Sequence, residues 1–194
     1  MDRLRHAQAV AAIDAANADD PNTLVWAGRE RPKELLHAEL MTWWVHRLDE
    51  HATEAQLLAA RAHHLRRWAL PRDAYPEDRA GYLRWRRALN ARHVVETGAI
   101  LADLGYGPTE IARVQELIAK TGRASDPQVQ THEDALCLVF LQTQFASLAE
   151  RLGDDKTVEV VKRTLAKMSP RGRSEALELA LPPHERALVE RALS

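Results

Sequence analysis

The stretch from Asp126 to Leu152, DPQVQTHEDALCLVFLQTQFASLAERL, decides the fold. An Asp-Pro pair opens it with an acceptor for the first free amides and a proline where helices tolerate one. Behind that start, Asp134, Leu138, Leu141, Phe145 and Leu148 recur at alternating steps of four and three, which is one face of an α-helix. The stretch also holds the longest unbroken apolar run, Ala135 to Leu141. That run is far short of the roughly 20 residues a membrane span needs, so the segment reads as a core helix.

Outward from this segment, glycines and prolines divide the chain into helices, and no stretch alternates with the Val, Ile and Thr enrichment of strands. Eight helices are expected, at about 3–18, 32–50, 53–68, 79–104, 108–121, 126–152, 156–168 and 174–193. Pro32 and Pro108 suit first helical positions, Thr53 with Gln56 forms a capping box, and Leu104-Gly-Tyr-Gly-Pro108 stops one helix and starts the next. The expectation is a compact all-α single-domain bundle, consistent with 194 residues at about 150 per domain. Internal repeats and low-complexity segments are absent.

Cys137 is the only cysteine and lies inside the apolar run, which excludes disulfides, thiolate zinc clusters and a paired-cysteine redox centre. With no apolar span either, a cytoplasmic protein without membrane contact is expected. P-loop, dinucleotide-glycine, serine-elbow and His-Glu-Xaa-Xaa-His motifs are also missing. Net charge is −1, but nine arginines face three acids between Arg61 and Arg92, a basic island in an otherwise acidic chain.

Polar residues on apolar faces carry the chemistry. Asp134 heads the stripe quoted above, and a buried carboxylate requires a cation, a helix-end amide or a metal; a place at the solvated helix start is the plainer alternative. His64 shares a face with Leu57 and Trp68, and His37 shares one with Met41 and Trp44, whereas His63 turns about a hundred degrees from His64. Either imidazole can be a hydrogen-bonded core group or a metal ligand. His93 lies three residues before Glu96, a spacing by which one helix offers two ligands. The adjacent Trp43 and Trp44 cannot both be central to one core, and the exposed part of the pair could serve an oligomer.

The order His37, then His63-His64, then a distant Asp134 resembles the HD-domain superfamily, in which a His, a His-Asp pair and a remote Asp hold a divalent metal in a helical bundle. The pair here reads His-His. The resemblance implies His37, His64 and Asp134 as ligands of Mn, Fe, Co, Ni or Zn, with Glu133 or His63 as a further ligand or proton acceptor and His93 as accessory base. A two-iron oxygenase variant of that layout would add His93, with His132 as the other candidate. The chain is also similar to the domain-of-unknown-function 4202 family, through PKELLHAELMTWWV (32–45), HLRRW (64–68), YPEDRAGYLRWR (75–86), EDALCLVFL (133–141) and KMSPRG (167–172). That resemblance implies no activity.

Between the proposed ligands, the basic aromatic segment couples arginine forks to Trp and Tyr faces, a combination suited to phosphate and a base. Its plainer alternative is a set of helix-bridging arginines and core aromatics. Arg67, Arg79 and Arg86 are the expected anion clamp, with Tyr82, Lys167 and Arg171 as further substrate contacts. The functional expectation is a metal-dependent phosphohydrolase acting on a small phosphorylated or nucleotide substrate. Its rivals are the two-iron oxygenase and a non-catalytic anion- or RNA-binding module built on residues 61–92.

Overall fold

A computed structural model describes residues 2–122 and 125–193. Among these residues the fold is all-α apart from one hairpin. Ten α-helices run in the order α1 (Arg3–Ala18), α2 (Lys33–Leu48), α3 (Glu54–Ala62), α4 (Arg79–Asp103), α5 (Pro108–Ala119), α6 (Pro127–Thr143), α7 (Phe145–Leu152), α8 (Asp154–Leu165), α9 (Pro170–Glu178) and α10 (Pro183–Leu193). Strands β1 (Thr23–Trp26) and β2 (Arg29–Pro32) pair antiparallel between α1 and α2, with Trp26 opposite Arg29.

The hairpin corrects the expectation of no sheet. Its turn residues, Ala27 and Gly28, both have positive φ, as a two-residue turn between twisted strands demands. Strands of four residues, with largely exposed side chains, leave no readable alternation. Three further expectations change. The helix expected over 126–152 breaks at Gln144, and the last helix divides into α9 and α10 around Leu179 to Pro182. The third ends at Ala62 instead of Trp68, because His63 to Arg66 form a turn in which Arg66 adopts the left-handed conformation at φ 47°.

The buried apolar residues form two clusters. One gathers Met41, Trp44, Leu138, Leu141 and Phe145 with residues of α8, α9 and α10. The other joins Ile13, Leu101, Leu117, Ile118 and Val129. α3 serves both, giving Leu57 and Ala60 to the first and Leu58, Ala59 and Ala62 to the second. With both faces covered, α3 is a pillar between the clusters, and its end delivers His63 and His64. Trp43 and Trp44 divide as adjacent helical residues must: Trp44 is buried and donates to Gln142 Oε1 at 2.7 Å, while Trp43 is 52% exposed.

Candidate metal and anion site

Three helices and the turn after α3 bring five histidines together. His37 comes from the second turn of α2, His63 and His64 from the turn after α3, His93 from the middle of α4 and His132 from the start of α6. The rings of His37 and His64 stack at 3.9 Å between centroids, His63 lies 4.9 Å from His64 and 4.8 Å from His132, and His93 lies 5.9 Å from His64. His132 Nε2 and His63 Nδ1 are hydrogen-bonded at 2.8 Å.

The carboxylate that completes this group is Glu34. Its Oε2 stands 3.0 Å from His64 Nδ1, and ligand atoms of Glu34, His37 and His64 lie within 4.8 Å of one another. Pro32, at the N-cap of α2, offers no side-chain acceptor, so the buried Asp20 accepts from the Glu34 amide at 2.9 Å and holds the first turn in place. A space of about 10 Å³ lies among Glu34, His37, His64 and Arg67, with Leu24 of the hairpin and Gln144 closing it. That is room for one water or one ion. The signal for Glu34 was legible as Glu34-Leu-Leu-His37, a spacing of three that puts both side chains on one helical face.

Asp134 does not join the histidines. It accepts from the Ser169 amide at 2.9 Å, from the Ser169 hydroxyl, and from Gln130 Nε2 at 2.9 Å. A Cβ added to Gly172 would come within 2.6 Å of its Cγ. The carboxylate therefore ties α6 to the N-terminus of α9, and the Ser169-Pro-Arg-Gly172 segment supplies the amide and the bare backbone it needs. Of the alternatives open for Asp134, the helix-end amide is the partner found. On α6, His132 and Asp134 are two residues and so about 200° apart, which sends one to the histidines and the other to α9.

Burial sets the charge state of the cluster. It lowers His37, His93 and His132 each to about 3, with Arg67 or Lys120 adding repulsion, and pushes His63 and His64 well below the ordinary imidazole value. Burial raises Glu34 to about 7, against the pull of Arg67 and Lys33. At neutral pH the five rings are uncharged, the form that binds metals. Three ring nitrogens, His37 Nε2, His93 Nε2 and His132 Nδ1, are buried without a hydrogen-bond partner. Such orphans are costly in a closed core and are what an ion would satisfy.

Next to the cluster a cavity of about 250 Å³ opens, lined by His64, Arg67, Arg86, Lys120, Glu133 and Lys167 on its polar side and by Tyr82, Trp85, Leu136 and Phe140 on its apolar side. A smaller recess of about 60 Å³ adds His63, Asn90 and His93. Arg67 lies over Trp85 at 4.8 Å and Arg86 over Tyr82 at 5.9 Å. Lys120 pairs with Glu133 at 2.9 Å. Of the expected site residues, His63, His93, Glu133, Arg67, Tyr82, Arg86 and Lys167 border this space.

Arg79 and Arg171 do not. Arg79 is exposed at the start of α4, and Arg171 donates to the Arg47 carbonyl at 2.8 Å. Cys137 also lines the cavity, but burial pushes its thiol up to about 12, which rules out a ready thiolate. Gly81 admits the Pro76 carbonyl and no ligand, since a Cβ there would collide with it. A separate cavity of about 350 Å³ around Leu58 and Val114 shares no residue with this one, and its Tyr106 and Arg113 are already bonded to Glu54 and Asp126.

A sequence profile described as a domain of unknown function, DUF4202, matches residues 7–189. No curated protein and no solved structure matches the chain.

Proposed function

The chain belongs to the DUF4202 family, whose description assigns no activity, and on that premise we propose that it is a metal-dependent phosphohydrolase. The observation that carries the reading is the junction of two surfaces: a buried, uncharged histidine cluster with Glu34 at one edge, and a cavity in which four cations meet a single acid. Glu34, His37 and His64 would hold the ion, and the orphaned nitrogens of His93 and His132 fit a demand for further donors. A divalent metal bound there supplies a water acidified toward neutrality.

The chain's own residues do the rest. Arg67 and Arg86 fork onto the phosphoryl oxygens, and their stacking on Trp85 and Tyr82 fixes the planes of the guanidiniums. Lys120 and Lys167 add positive charge on the opposite wall. Glu133, on the cavity wall, accepts the proton as the water oxygen bonds to phosphorus; the ester P–O bond breaks, and the departing oxygen takes a proton from solvent. The test is elemental analysis of protein purified without chelator, with turnover of p-nitrophenyl phosphate measured alongside. Stoichiometric metal that falls in His37→Ala and His64→Ala, with turnover lost on chelation, supports the reading. Metal-free active protein, or metal-free inactive protein, defeats it.

The adjacent His63 and His132 favour one second reading, a two-iron oxygenase, because they offer ligand atoms beside the first group. Two irons per chain with oxygen uptake would select it over hydrolysis.

A further inference from the structure

Some arginines of this protein are paired with acids and others are not. Arg5, Arg47, Arg61 and Arg113 each close on an acid at 2.5 to 2.8 Å, as arginines of a folded surface commonly do. Exposed Arg3, Arg29, Arg151, Arg163 and Arg173 lack such a pair among the described residues, and α4 gathers three more within nine positions. Arg79, Arg84 and Arg87 are exposed and have no acid within ion-pair distance among the described residues, and from Arg79 to Val95 the helix contains no acidic residue. Leaving like charges this close together is unfavourable unless something anionic covers them.

Their placement gives a direction. Arg79, Tyr82, Arg86, Asn90 and His93 fall at offsets of three, seven, eleven and fourteen, so they share one face of α4. That face begins in solvent at Arg79 and ends at His93 in the histidine recess, a path of about 21 Å at 1.5 Å per residue. Along the path Tyr82 is 42% exposed, with Arg72 and Arg86 each 5.9 Å from its ring centre, and Leu83 beside it is 51% exposed. A path much longer than one phosphate, carrying both fixed cations and an open aromatic face, fits a polyanion with planar groups.

We propose that the phosphohydrolase site described above takes the end of a single-stranded nucleic acid, with the terminal phosphate in the histidine cleft and the preceding nucleotides laid outward along the α4 stripe. Arg79 meets a backbone phosphate, and Tyr82 offers its ring to a base. An acidic peptide would make no use of the open ring. An anionic membrane would need more apolar surface than Leu83 offers. Arg79, which stands outside the cleft, acquires a role on this stripe that a mononucleotide would not give it.

The proposal rests on the hydrolase reading only for what happens at the strand end, so the test measures binding alone, with chelator present. Fluorescence anisotropy follows the full chain with labelled adenylate mono-, di-, tetra- and octanucleotides at two salt concentrations. Affinity is expected to rise at least about tenfold from the mononucleotide to the octanucleotide, with a salt slope near −0.7 per phosphate engaged. In Arg79→Ala, at an exposed position, the gain with length is expected to shrink and the salt slope to become shallower by about 0.7, and Tyr82→Ala should reduce the gain about tenfold. Equal affinity for all lengths overturns the proposal, as does an undiminished gain in Arg79→Ala or preferential binding to phosphatidylserine vesicles. Length-dependent binding by a protein that proves metal-free when purified without chelator would sink the hydrolase reading and leave the strand path standing.

Discussion

Two buried carboxylates stand on opposite sides of the division between structure and chemistry. Asp134 sits among donors, an amide, a hydroxyl and a carboxamide, and every one comes from the protein. Glu34 is equally buried, but its bonding partner is a neutral imidazole, its nearest cation is Arg67 at 3.9 Å, and burial has raised it to about 7. A carboxylate given all its hydrogen bonds is a fastener. One buried without them is held at a cost that a ligand can offset.

The widest break in this contrast comes with acid. Each of the five clustered imidazoles is lowered in the folded state, so the stability they contribute is fully present above 6.5 and is lost as pH falls toward about 3, because the unfolded chain takes up the protons first. Glu34 runs the other way, costing stability as pH rises from 4.5 through about 7, but it is one group against five. Urea midpoints of metal-free protein should therefore drop between pH 7.5 and pH 5. If the histidine reading of the site is sound, the drop is smaller in His37→Ala and unchanged in Asp134→Asn.

Removing the fastener is next in size. Asp134→Ala strands the Ser169 amide and hydroxyl and should cost about 3 kcal/mol, read as a lower urea midpoint, while metal content per folded chain stays the same. Gly172→Ala should push the same joint apart for about 1 to 3 kcal/mol. Glu34→Gln reverses the pattern: stability changes little or rises, because a buried acid becomes a neutral amide, while metal affinity falls about 10- to 100-fold by titration calorimetry. Finally, Arg66→Gly relieves a left-handed non-glycine residue that is held by the Asn17 Oδ1 acceptor at 3.0 Å. It should gain about 1 kcal/mol in thermal unfolding while loosening the turn that carries His63 and His64, so metal binding weakens as the protein becomes more stable.

The same contrast explains what could be read without coordinates. Helix existence followed from period and caps: the Thr53–Gln56 box and the proline starts of α5 and α6 are where the residues place them. The cation-lined cavity was foreshadowed by Arg67, Arg86, Tyr82 and Lys167, since a dense run of forks and rings on one helix and its approach must share a neighbourhood. The carboxylate was misassigned because periodicity tells which side chains point inward and not which inward-pointing group meets which. Asp134 and Glu34 both face the interior, and only the packing of α9 on α6 decides that the first is used up. The hairpin and the break at Gln144 escaped because four-residue strands and a single irregular residue leave no periodic trace.

α3 has one more consequence. Ala59, Ala60 and Ala62 are completely buried, so over the last turn of α3 the gap between the two clusters is set by methyl groups and backbone. The helix acts as a shim whose thickness tunes the bite of the imidazoles at its end. Larger side chains at these three positions would stabilise nothing; at about 1 to 3 kcal/mol apiece they would wedge the halves apart and spoil the fit for an ion. Substitution tolerance along the end of α3 thus reports on the width of the site.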